Sequence, residues 1–121
     1  MKTDFKLLID GKLVDGVSTF DVVNPATEES FAQCPRASEA MLDEAVAAAK
    51  AAQPAWAALS ADERQAYLNK LADAMEARHE EFGRLLTTEQ GKPLDQAMYE
   101  IGGSIYTIRA IAAMRLPDQT M

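Results

Sequence analysis

Glu89-Gln90-Gly91-Lys92-Pro93-Leu94 is the stretch on which the fold turns. Glycine favours the position just past a helix end, where a left-handed backbone closes the last turn, and proline is tolerated where a helix begins. The hexapeptide therefore reads as the end of one helix and the start of another. Downstream, Leu94, Met98, Ile101, Ile105, Ile108, Ile111 and Ala112 recur at helical spacing. They predict a helix from Pro93 to about Arg115, with an apolar stripe broad enough to need more than one neighbour. Upstream, Leu68, Leu71, Met75, Phe82 and Leu85 follow spacings of three, four and seven. They predict one apolar helical face that ends at Gly91.

Ser60 followed by Glu63 is a capping box, in which each residue satisfies a main-chain donor of the other, so it marks where that helix begins. An earlier helix is expected after Ser38, a good N-cap, with Glu39, Asp43 and Glu44 near the positive end of the helix dipole. Pro54 is expected to end or kink it, because proline lacks the donor and crowds the preceding turn. Trp56 would then be a packing anchor beyond the break.

The front of the chain reads differently. Lys6-Leu7-Leu8-Ile9 and Lys12-Leu13-Val14 flank Asp10-Gly11, a pair that tolerates the positive φ of a two-residue hairpin turn. Phe20 and Val22 alternate with Asp21 and Val23 up to Asn24-Pro25, where the Asn side chain can bond the following backbone and proline fixes φ. Ser30 to Cys34 reads as the returning strand. The expected class is α+β: residues 5–35 are β-rich, and residues 38–115 carry three or four helices.

Apolar residues make up 48% of the 121-residue chain and charged residues 26%, which excludes a disordered chain and bounds the length to one domain or part of a larger one. Twelve basic against nineteen acidic residues give a net charge of −7, which repels phosphate backbones and anionic lipid heads. Neither nucleic acid nor a membrane is an expected partner. No secretory segment follows Met1, and the longest uncharged run, Ala51 to Ala61, is too short to cross a bilayer, so a cytoplasmic location is expected. The single cysteine allows no internal disulfide and fits a reducing compartment.

Catalytic machinery is hard to find. Cys34 is predicted to lie in a strand before Pro35 with only Arg36 close by, a setting for a packing residue rather than an activated thiolate. His79 has no Cys, His or Ser at a spacing that would build a dyad or metal site, so a solvated or capping role is expected. Gly102-Gly103 follows no strand and lacks a phosphate-loop context; close helix packing is the better reading. Met41, Met75, Met98 and Met114 are expected to fill the core between helices.

Three motifs in order, Leu8-Ile9-Asp10-Gly11-Lys12, Asn24-Pro25-Ala26-Thr27 and Glu89 to Leu94, resemble the opening segment of the aldehyde dehydrogenase superfamily. The resemblance spans essentially the whole chain, with one departure: the family usually places a glycine after the second motif, where this chain has Glu28-Glu29. The resemblance implies that residues 1–121 are the amino-terminal part of a Rossmann-like cofactor domain whose remaining strands come later. It implies a parent enzyme using NAD or NADP to oxidise an aldehyde to a carboxylic acid through a thiohemiacetal and hydride transfer, in a homo-oligomer. The family's catalytic cysteine, glutamate base and nucleotide turn lie further on, so the catalytic domain is expected to be absent. No catalytic or cofactor-binding residue is expected here, no cofactor should bind the isolated segment, and its partner would be the remainder of the subunit. Two positions, the Val22 carbonyl and the Glu89 carboxylate, match those that hold a structural monovalent cation in some members. The alternative, from another class, is a non-catalytic, free-standing helical scaffold or interaction protein.

Overall fold

A computed structural model describes residues 4–115. They form, in order, β1 (Leu7–Ile9), β2 (Lys12–Val14), β3 (Ser18–Asn24), β4 (Glu29–Arg36), α1 (Glu39–Ala58), α2 (Ala61–Glu76), α3 (His79–Gln90) and α4 (Leu94–Ala112).

The strands make two separate antiparallel ribbons. In the first, Asp10 and Gly11 both take positive φ, 50° and 71°, which is the type I′ geometry that matches strand twist. The second pairs β3 with β4, with a register shift between Val22 and Val23. Asn24 caps the connection as expected: its Oδ1 accepts from Ala26 N at 2.9 Å, and its carbonyl accepts from Glu28 N at 2.8 Å. The chain then turns through Glu28 at φ 60°. A left-handed backbone there accounts for the glycine that the resemblance led one to expect, since only glycine adopts it without a Cβ clash.

Ser38 caps α1, its hydroxyl accepting from Met41 N. Pro54 does not end this helix, which runs on to Ala58. Residues 49–58 are all exposed, so the carbonyl that proline leaves without a helical partner can turn to water. Trp56 accordingly lies inside α1, where its ring meets Tyr67 of α2 at 5.8 Å between centroids. No residue of α1 is buried, and its principal neighbour is β1.

The capping box is present in full: Glu63 N donates to Ser60 Oγ, and Ser60 N donates to Glu63 Oε2 at 2.8 Å. The single periodic face expected between Ser60 and Gly91 is divided between two helices. Ala77 closes α2 with its N–H on Asp73 and Met75, and Arg78 leaves the helical region at φ −118°, ψ 19° before α3 begins. No glycine or proline marks the break. Its cause is tertiary, because α2 and α3 each pack along α4. Of the expected stripe, Ile105 and Ala112 are buried, whereas Leu94 and Ile111 stay exposed, so the two neighbours cover it only in part.

Among the described residues, four of the six buried apolar ones are alanines (Ala32, Ala72, Ala97, Ala112), so the elements approach closely around a thin core. The closest approach is at Gly83, buried in α3, where an added Cβ would overlap Met98 of α4. The expectation that Gly102-Gly103 serves close packing does not hold for Gly103, which faces open space; Gly102 meets only the His79 ring. Met41, Met75 and Met98 are half-buried, whereas Met114 follows α4 and is exposed.

Candidate functional site

The two residues singled out for a cation come together. Val22 on β3 and Glu89 in the last turn of α3 line one cavity of about 160 Å³, shared with Phe5, Phe31, Cys34 and Leu85. Two local features place them. The register shift sets Val22 opposite Ala32 and Val23 opposite Ser30, leaving Phe31 as the extra residue of a bulge, and a bulge interrupts the ladder beside the Val22 backbone. Gly91, at φ 72°, closes α3 with its N–H on Thr87 O at 2.8 Å and packs on Pro25, at the tip of the β3–β4 ribbon.

The side chains that line it offer one carboxylate, from Glu89, and one thiol, from Cys34. Among the described residues there is no group of three or more His, Cys, Asp or Glu side chains that could hold a metal ion. Carboxylate and carbonyl oxygens suit a hard cation and offer nothing to a soft one.

Cys34 lies in β4 and is half-buried in the same cavity, with its Sγ 4.0 Å from the Pro35 carbonyl. Among the described residues, no histidine, lysine or arginine lines the cavity, so they offer no cationic or imidazole partner for a thiolate there.

His79 departs from its expected solvated or capping role. It is half-buried at the first position of α3, and its Nε2 lies 2.8 Å from the Met98 carbonyl of α4. A carbonyl only accepts, so Nε2 carries the proton and the ring ties the start of α3 to the middle of α4. Nothing in the sequence signalled this link, because the two residues are 19 apart and meet only when α3 folds back. Ion pairs reinforce the same layer: Arg109 of α4 donates to Asp73 at 2.5 Å and Glu76 at 2.9 Å on α2, and Arg115 reaches Asp62. Lys92 pairs with Glu100, fastening the loop after Gly91 to α4.

A second surface is more conspicuous than any cavity. Leu8 and Leu13, paired across the first hairpin, are both about two-thirds exposed, at 69% and 66%. Leu42 and Val46 of α1, Tyr99, Tyr106 and Ile111 of α4 are exposed as well. The accessible surface is 9013 Å², against roughly 6,400 Å² expected of a folded monomer of this length. Among the described residues, no helix is long and apolar enough to cross a membrane.

Comparison with known proteins fits these features to one family. The sequence profile of the aldehyde dehydrogenase family matches residues 13–120. A probable aldehyde dehydrogenase from a Pseudomonas species is 40% identical over 117 residues, covering 94% of this chain and 23% of that protein. Among solved structures, aldehyde dehydrogenase 21 from Physcomitrella patens, in complex with the reaction product succinate, superposes with a TM-score of 0.86 at 36% identity. That match covers 93% of this chain and 24% of the other. An NAD-dependent benzaldehyde dehydrogenase from Corynebacterium glutamicum gives a TM-score of 0.84 at 32% identity over 95% of this chain and 27% of the other. The chain thus spans about a quarter of the length of the relatives it matches. On this profile match and these likenesses, the chain belongs to the aldehyde dehydrogenase family.

Proposed function

We propose that this chain is the scaffold-forming start of the cofactor domain of an aldehyde dehydrogenase that uses NAD or NADP to oxidise an aldehyde to a carboxylic acid, and that the segment has no activity of its own. NAD or NADP would accept the hydride there; this chain's part is to carry the helical layer against which the rest of the domain folds. The observation that carries the reading is the joint one of match and surface. The sequence covers about a quarter of its relatives, and its apolar hairpin, α1 and outer α4 faces lie exposed. The intact subunit would be a cytoplasmic homo-oligomer, with no nucleic acid or membrane partner. The net charge of −7 and the lone cysteine favour this.

Within the segment, the Val22 carbonyl and the Glu89 carboxylate would hold a structural monovalent cation. Their shared cavity and the bulge beside Val22 support this. The cation would join the β3–β4 ribbon to the end of α3.

A chimera tests both statements. This chain replaces the matching segment of the Pseudomonas relative, and NAD-linked aldehyde oxidation is measured. Activity within about tenfold of the relative's own is expected, while the chain alone reduces neither NAD nor NADP. In the chimera, thermal stability should rise when potassium replaces choline at constant ionic strength, and Glu89→Gln should remove that rise. A folded but inactive chimera would contradict the scaffold role. A rise that survives Glu89→Gln would contradict the cation site.

A further inference from the structure

We draw no further inference here: the strongest candidate, the open groove along the outer face of α4 between Tyr99 and Tyr106, floored by Gly102 and Gly103 with His79 and Met98 at its side, is an unpartnered surface, and nothing in the structure shows what covers it.

Discussion

Gly91 lies against Pro25: a Cβ added at Gly91 would stand 3.0 Å from Pro25 Cγ, and the same glycine holds φ at 72°. The contact joins the turn after β3 to the end of α3, two places 66 residues apart in sequence. Val22 and Glu89, from the same two elements, line one cavity.

Gly91→Ala meets both obstacles at once. The left-handed backbone costs an L-residue about 1–2 kcal/mol, and the added methyl presses on a stiff proline ring. A destabilisation of about 1–2 kcal/mol is expected in urea unfolding of the chimera. An unchanged midpoint would mean that the α3 end and the ribbon tip do not depend on each other's positions.

Glu28 presents the opposite case. At φ 60° it holds a backbone that glycine adopts without strain, and its side chain is exposed. Glu28→Gly should therefore stabilise by about 0.5–1 kcal/mol, the relief of strain being partly offset by the greater freedom of glycine in the unfolded chain. A thermal melt showing a lower midpoint would refute the strained turn.

Acid should weaken α2 through Glu63. Its carboxylate accepts from Ser60 N, and the hydrogen bonding of that carboxylate to the Ser60 main chain and hydroxyl holds its pKa below the usual glutamate value. A depressed folded value means that the stabilisation is fully present above the unfolded pKa and is lost as pH falls through the folded one. Stability should thus decline as pH drops below the ordinary glutamate range. Glu63→Gln should flatten that part of the pH profile, while Ser60→Ala costs about 1 kcal/mol at neutral pH. A Glu63→Gln profile identical to the parent's would exclude the box as the source.

Local chemistry was legible wherever a residue type has one conformational use. Asp10-Gly11, Asn24-Pro25, Ser38, the Ser60–Glu63 box and Gly91 each placed an element end within a residue or two. The break at Ala77–Arg78 was not legible, since both residues are acceptable in a helix and the cause is the packing of two helices on α4. That Pro54 does not end α1 has the reverse reason: an exposed helix tolerates a proline that a packed one would not. The pairing of Val22 with Glu89 came from the family resemblance, because a carbonyl on a strand and a carboxylate at a helix end carry no spacing that links them. His79 on Met98 and Gly83 under Met98 are contacts across a helix turn-back, beyond any local pattern.

The most direct measurement is on the chain by itself, by sedimentation velocity together with binding of a dye for exposed apolar surface. Each large apolar side chain left in water forgoes roughly 1.5–3 kcal/mol. Leu8, Leu13, Leu42, Val46 and Ile111 together then forgo as much as the whole stability of a small domain. Concentration-dependent oligomers or strong dye binding are predicted, whereas the folded chimera should neither bind the dye nor associate through these faces. A monodisperse monomer that binds no dye would contradict the account and favour a free-standing helical protein.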